Sequence, residues 1–590
     1  MDIIAPASVV APSVESLAAA VERRLTAAMA GAAPQLRRSD RADFQANGVL
    51  ALAKGRGLNP AALASEIAAA LPADGLVSDC RASGPGFLNI TVGDRAVLAN
   101  VAARAADPRL GVGRVAAPGV TVVDYSSPNI AKEMHIGHLR STAIGDALVR
   151  VLAFLGEGVV RRNHVGDWGT GFGMLIQDLV ERPEPEHGQG EGGEDGIAEI
   201  AVLSDRYQRA RARFDADPAF AERARLRVVA LQAGDQETVA AWQRLVAVST
   251  EHFQQVYAEL GVLLEAADAV GESHYNPMLP RICAELEESG LAEESNGALC
   301  VFPEDRPEGT APLMVRKGDG GYGYAATDLA AIRDRVGGLA ARRLLYLVDA
   351  RQGLHFRMVF DTARRAGWLP DTVEARHLPF GTILGADGRP FRTRAGDTVR
   401  LQDVMDEATA RAREIVASKN PDLPEQELAR RARQVGIGAL KYADLSNNRV
   451  KDYVFDLDRM VSLNGDTATY LQYAHARMRS VLRKAGAEPG AAAPAPALDL
   501  PLAPAERTLA LLLDEFGAAV AAVADTCEPH RLCAYLYALA SAFATFWEEC
   551  PVLKAEDAGV RANRLLLCSL SARTLELGMG LLGIEAPDQL

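Results

Sequence analysis

The sequence predicts an α/β protein in three parts: a central domain with a parallel sheet, a small α/β domain before it, and an all-α domain after it. Three observations carry that prediction. The β-branched run Val120–Val123 reads as a buried strand, and it leads through Ser127-Pro128-Asn129 into a helix with apolar residues at Leu139, Ala143, Ile144, Ala147 and Leu148. Gly158–His164 supplies the next strand of a βαβ unit. From Asp466 onward the apolar spacing is that of helices alone, which says no more than helical bundle. A chain of 590 residues is long enough for several separate cores.

Taken in order, residues 1–118 hold helical patterns at Ser13–Met29, Pro60–Leu71 and Asp94–Ala105, and strands at Gly75–Cys80 and Gly86–Val92. Asp107–Pro118, rich in Gly, Pro and Ala, reads as the linker. The central domain is expected over residues 119–460. The glycines of GDWGTGFGMLI (Gly166–Ile176) do not fit GxGxxG, so no dinucleotide fingerprint is present there. Pro183–Gly196 has the composition of a solvent loop, and Ile197–Leu260 is charged and helical in period, an insertion over about 177–270. Leu344–Val348 reads as a central strand. Tyr324 and Asp328 share a face if a helix starts after Gly323. A strand ending near Leu384 precedes the loop Gly385–Asp397, then helices at Asp397–Ala417 and Glu425–Asn447. The all-α domain is expected over 461–590, with helices starting near Leu509 and spanning Cys533–Glu549 and Val560–Leu582. The Ala/Pro-rich linker Ala491–Pro504 interrupts it.

Composition sets bounds. The chain is 48% hydrophobic and 24% charged, with no apolar run long enough to span a bilayer. MDIIAPASVVAPSVES lacks a basic leader, so no export signal is read and a cytoplasmic location is expected. Seven cysteines without a CxxC pair point to reduced thiols, with neither zinc nor a disulfide framework expected. The net charge of −14 speaks against a nucleic-acid partner only weakly, because a local basic track such as Ala474–Gly486 can sit on an acidic body. Only 8 of the 63 basic residues are lysine, so each lysine is a departure from the default cation.

The chemistry gathers in YSSPNIAKEMHIGHLRSTAIGDA (Tyr125–Ala147). A strand, a turn and a helix N-terminus present free backbone N–H groups to a phosphate. His135 and His138, three apart, are expected on one side of the first helical turn, and Gly137 leaves room for a flat base. By spacing alone the pair reads as two ordinary, partly buried histidines. However, HIGH with SPN upstream resembles the signature of class I aminoacyl-tRNA synthetases, and the string SSPNIAKEMHIGHLRSTAIGD is similar to its arginyl-tRNA synthetase form. GPGFLNITV (Gly84–Val92) resembles that family's N-terminal domain, which contacts the tRNA elbow. FATFWEECPVL and LGIEAPDQL resemble its helical anticodon-binding domain.

The resemblance implies a Rossmann-type class I catalytic domain that forms arginyl-adenylate from ATP, with Mg²⁺ on the nucleotide. Transfer to the terminal 2′-hydroxyl of tRNA(Arg) follows, with tRNA required for activation. It implies catalytic roles for His135 and His138, with Gly137 at the ATP. It implies arginine-binding roles for Ser127, Asn129, Glu272, Tyr324, Asp328 and Gln352, and tRNA contacts at Phe87, Asn89, Tyr470, Tyr473 and Trp547. A guanidinium is planar, permanently charged and rich in donors, so two carboxylates with a flanking aromatic are its matching receptor. Such a fork leaves costly unpaired groups when lysine or citrulline enters, which fits the lack of a recognisable editing domain. The family's second signature, KMSKS, is altered here to PFRTRAGD (Pro390–Asp397): Thr393 is expected at the ATP, and Arg392, Arg394 or the upstream Lys132 as the cation for pyrophosphate. A monomer is expected. The rival readings are a non-catalytic paralogue that binds tRNA and another nucleotidylyl transferase of the HIGH superfamily.

Overall fold

The computed structural model describes residues 14–71, 73–183, 195–304, 311–392, 398–487 and 495–590. The N-terminal part comprises α1 (Leu17–Ala28), β1 (Leu36–Arg38), β2 (Phe44–Ala46), α2 (Gly48–Arg56), α3 (Pro60–Ala70), β3 (Val77–Ser83), β4 (Phe87–Val92) and α4 (Asp94–Ala106). Its strands form an antiparallel sheet in the order β1-β2-β4-β3. Ser16 and Asn59 start α1 and α3 by accepting backbone N–H groups, Asn59 with Pro60 next in line. The sequence reading does not find β1, β2 or α2, since three-residue strands are too short to show a period of two. Leu88, Ile90 and Val92 of β4 enter the core, which leaves Phe87 and Asn89 on the opposite face.

The central part runs β5 (Val120–Asp124), α5 (Ile136–Phe154), β6 (Gly158–Val165), α6 (Thr170–Glu181), α7 (Asp195–Ala216), α8 (Pro218–Gln232), α9 (Gln236–Leu260) and β7 (Ala269–Gly271). It continues with α10 (Leu279–Glu288), β8 (Ala292–Ser295), β9 (Ala298–Val301), β10 (Leu313–Arg316), α11 (Tyr324–Arg333), β11 (Ala341–Tyr346), α12 (Gly353–Arg365) and β12 (Glu374–His377). The main sheet is parallel throughout, in the order β12-β11-β5-β6-β7. β5 therefore lies in the middle: the chain runs outward to β7 on one side, then returns to build β11 and β12 on the other. The crevice at the carboxyl ends of β5 and β11 is a topological switch point, where open α/β sheets bind ligands. The insertion resolves into the three helices α7, α8 and α9, and the expected loop Pro183–Gly196 lies largely outside the described residues.

The remainder holds β13 (Ile383–Leu384), α13 (Leu401–Lys419), α14 (Glu425–Leu445), β14 (Tyr453–Val454), α15 (Leu457–Met460), α16 (Ala468–Lys484), α17 (Pro504–Asp514), α18 (Phe516–Thr526), α19 (His530–Glu549) and α20 (Ala558–Leu581). α13 begins at Leu401, later than the periodicity indicates. The reason is backbone pairing: Ile136 donates to the Val399 carbonyl at 3.0 Å and Leu401 to that of Met134 at 3.0 Å, so this stretch is committed to the histidine loop. Buried ion pairs join the parts. Arg140 of α5 donates to Asp444 of α14 at 2.9 Å, and Arg104 of α4 to Asp514 of α17 at 2.7 Å.

The packing of α5 on β5 needs a bare backbone at one position. A Cβ on Gly145 would stand 2.3–2.4 Å from side-chain atoms of Tyr125, which is itself fully buried. Gly145→Ala is expected to destabilise the chain by about 1–3 kcal/mol through overpacking, read as a lower urea midpoint at unchanged slope.

Candidate active site

The turn after β5 is held in an unusual conformation. Ser126, Ser127 and Ala131 adopt positive φ of 70°, 50° and 62°. Non-glycine residues there are strained, and persist only where the surroundings over-determine them. The surroundings do so: Ser126 N–H donates to Ser141 Oγ at 2.9 Å, Ser127 N–H to Asn163 Oδ1 at 2.9 Å, and Ala131 N–H to Ser249 Oγ at 2.9 Å. At the strand's end Asp124 accepts from buried Arg335 at 2.6 Å, and that guanidinium also lies 5.0 Å from the Tyr346 ring centroid. Ser127 Oγ donates to Asp124 at 3.2 Å.

His135 is the N-cap of α5, a position before the first turn where the sequence reading places it. With φ −118° and ψ 168° it is extended, and its Nδ1 accepts from Gly137 N–H at 3.1 Å. His138 Nδ1 in turn accepts from the His135 N–H at 3.0 Å, and the two rings lie 3.9 Å apart. Two of the helix-end donors are thus taken by the histidines themselves. What Gly137 makes room for is the His135 ring, since a Cβ there would stand 2.9 Å from it. Burial, then the nearby Lys132 charge, lowers the His135 pKa. Burial and His135 hold His138 down to about 3. Both rings are therefore neutral at pH 7. With Nδ1 accepting, each neutral ring carries its proton on Nε2.

Beside them, Asn129 reaches toward Gly166: a Cβ on that glycine would stand 2.6 Å from Asn129 Oδ1 and 4.0 Å from Glu272 Oε1. Glu272 follows β7 directly. Burial first, then the carboxylates of Asp167 and Asp328, push its pKa up to about 8. Asp167 props this corner by accepting from Ser273 N–H at 2.9 Å and Ser273 Oγ at 2.6 Å. Gly271 must be bare, as a Cβ would stand 2.1 Å from Asp167 Oδ2. Asp328 lies one turn beyond Tyr324 on α11, which starts at Tyr324 as expected, and it bonds His355 Nε2 at 2.6 Å. Tyr324 is 75% exposed, and burial of its hydroxyl end, Glu272 and Tyr207 raise its pKa. Two carboxylates near enough to influence each other's site, with Tyr324 close by, favour a guest that brings positive charge.

Other expected site residues are placed less centrally. Gln352 is the exposed N-cap of α12 on the β11 side of the switch point. Lys132 is exposed, its ammonium 4.5 Å from the Tyr207 ring centroid. Arg392 is exposed and pairs through its backbone with Thr398, whereas Thr393 and Arg394 lie outside the described residues. In the N-terminal sheet Asn89 Oδ1 accepts from Gln45 at 2.9 Å, and Gln45 accepts from Arg37 at 2.7 Å, with Phe87 beside them on the same face. Tyr470 packs on Tyr537 with centroids 5.6 Å apart, while Tyr473 and Trp547 are half-buried. Sequence reasoning did not single out Asp167, His355 or Tyr207. Asp167 and His355 carried a local signal, one after Gly166 and the other three residues past Gln352. Tyr207 had none, because its helix shows only a charged, periodic pattern.

Comparison with known proteins agrees along the whole chain. The family model for the class I (R) tRNA synthetase catalytic domain matches residues 113–457, the DALR anticodon binding domain 471–590, and the arginyl tRNA synthetase N terminal domain 15–92. The chain is 57% identical to the arginine–tRNA ligase of Frankia casuarinae over 98% of its own length and 97% of the relative's. It is 55% identical to that of Streptomyces avermitilis over 98% and 100%. Among solved structures it is similar to the Thermus thermophilus arginyl-tRNA synthetase, with a TM-score of 0.79, 28% identity and coverage of 97% and 100%. The Plasmodium falciparum enzyme gives 0.78, 26%, and 98% and 100%. The parallel sheet, its histidine-capped helix and the flanking domains are those of one lineage, and the chain belongs to the class I arginyl-tRNA synthetases.

Proposed function

We propose that this enzyme ligates L-arginine to tRNA(Arg) at the expense of ATP, through an arginyl-adenylate. The observation that supports this reading is that Asp328 lies close enough to Glu272, and Glu272 to Tyr324, for each to raise its neighbour's pKa, in a chain whose helix α5 is capped by two neutral histidines. The arginine carboxylate attacks the α-phosphorus of ATP in line, and pyrophosphate leaves with the bonding pair. His135 and His138 donate from Nε2 to oxygens on which charge accumulates, and Lys132 offsets charge on the departing pyrophosphate. The terminal 2′-hydroxyl of tRNA then attacks the adenylate carbonyl, AMP leaves, and the arginyl ester remains. Asn129, Ser127 and Gln352 are the residues this reading assigns to the α-amino and carboxylate groups. Magnesium would enter on the triphosphate, since among the described residues no cluster of three side chains is arranged to hold a cation. Among the described residues no helix is long and apolar enough to cross a membrane, and a cytoplasmic setting supplies ATP and tRNA.

The experiment is charging of total tRNA with labelled arginine, run beside pyrophosphate exchange with twenty amino acids, each with and without tRNA. Arginine-specific charging, with exchange only when tRNA is present, is the expected result. Exchange without any dependence on tRNA sinks the activation requirement, and exchange without charging sinks the ligase reading.

Two further outcomes follow. Glu272 holds a proton below about pH 8 in the free enzyme, and a guanidinium needs it ionised. Arginine binding therefore releases a proton, so its KM is expected to fall up to tenfold per unit as pH rises from 6.5 to 7.5, and to level off above about 8. Relative to low pH, the free enzyme loses stability from this group as pH rises from its ordinary 4.5 toward about 8, and saturating arginine offsets that loss. A flat arginine KM with conserved kcat across that window argues against the pairing. In the helical domain, Trp547→Ala is expected to weaken tRNA by about 1–3 kcal/mol if the ring stacks on an anticodon-loop base. An unchanged tRNA KM in the folded variant returns Trp547 to the core.

A further inference from the structure

The insertion touches the catalytic corner through one side chain. Tyr207 of α7 faces the Lys132 ammonium, 4.5 Å from its ring centroid. Its hydroxyl lies over Gly171 near the start of α6, where a Cβ would stand 3.3 Å from the oxygen. The same phenol is close enough to Tyr324 to raise that residue's pKa. His135 and His138 also lie within reach of the Lys132 charge, which adds to burial in lowering their pKa values. The adjoining carboxylate, Glu133, is engaged by Arg400 at 3.3 Å.

We propose that Tyr207 is a positioning residue, whose ring holds the Lys132 ammonium between the helical insertion and the two histidines, so that α7 forms one wall of the ATP site. The proposal rests on the reading of Lys132 as the pyrophosphate cation. Its physical advantage is specific. An exposed lysine has a flexible four-carbon stem and samples many rotamers. A carboxylate partner would fix it but cancel the charge that a phosphate needs. A ring face attracts the ammonium through its quadrupole and leaves the full charge available. Tyr207 is half-buried against the α6 to α8 packing, so its ring is held by the insertion rather than by the substrate.

The test is a double-mutant cycle in tRNA-supplemented pyrophosphate exchange, with Tyr207→Phe, Tyr207→Leu, Lys132→Ala and the Lys132→Ala/Tyr207→Leu double variant. Tyr207→Met runs beside Tyr207→Leu in case the latter folds poorly, and the cycle subtracts any general loss of packing. Tyr207→Phe keeps the ring and is expected within about twofold of wild type. Tyr207→Leu is expected to lower kcat roughly 3- to 30-fold at unchanged arginine KM, the range of cation–π contacts. The double variant should be no slower than Lys132→Ala alone. A Tyr207→Leu enzyme at or above the wild-type rate, or losses that multiply in the double variant, overturns the proposal. If Lys132→Ala is slow while Tyr207→Leu is not, only the tyrosine fails. If Lys132→Ala itself runs at the wild-type rate, the lysine assignment fails and takes the positioning role with it.

Discussion

Asp328→Ala is expected to raise the arginine KM by about two to four orders of magnitude, corresponding to roughly 3–5 kcal/mol, while the ATP KM changes little. Asp328 is brought to Glu272 from a different element, α11, and after burial and Asp167 it adds to the cost of ionising Glu272. Removing one carboxylate leaves a guanidinium partly enclosed and half paired, and the lost fork geometry cannot be replaced by water from one side. Asp328 also accepts from His355 at 2.6 Å, so the alanine leaves that imidazole without its partner as well. Asp328→Asn separates the two effects, since it keeps the shape and a carbonyl for one N–H but removes the charge. Charging assays with arginine varied at saturating ATP and tRNA give the measurement. An arginine KM that stays at the wild-type value in Asp328→Ala sinks the pocket assignment outright.

Why the sequence could outline this site and yet not assemble it is visible in the same residues. Strand, turn and helix around His135 and His138 are consecutive, so their periodicity and turn chemistry place them together without tertiary information. Glu272 and Asp328 lie 56 positions apart and meet only because the turn that follows β7 packs against α11. Without the likeness to a family, nothing in their local pattern joins them. The helix start at His135 was misplaced by one step for a related reason. An N-cap histidine that accepts from its own helix is indistinguishable in sequence from one inside the first turn, and only the Val399 and Leu401 pairings across the fold fix which it is. Tyr207 lies at the far end of the scale, because a surface tyrosine in a charged helix has no signature until α7 is seen beside Lys132.

Lys132→Ala is expected to lower kcat for adenylation by roughly 10²–10³-fold, as loss of one preorganised donor to a transition-state oxyanion does. The departing pyrophosphate's growing charge needs a compact cation, and an ammonium point charge meets that need better than a planar fork. The altered loop carries Arg392, exposed and paired along its backbone with Thr398, and Arg394 further on. Lys132 stands in the strained turn that feeds α5, close enough to both histidines for its charge to lower their pKa values. That places it on the same side of the site as the N–H groups expected to meet the phosphates. Its placement also predicts a direction for Lys132→Arg: the charge survives but the reach and shape change, so recovery should be partial. The discriminating comparison is Lys132→Ala against Arg394→Ala in tRNA-supplemented pyrophosphate exchange, with arginine KM recorded for both. If Lys132→Ala stays within a few-fold of wild type while Arg394→Ala collapses, the pyrophosphate cation belongs to the loop. If the order is reversed, a chain that uses arginine almost everywhere has kept a lysine here because leaving-group charge, rather than substrate recognition, is what it must answer.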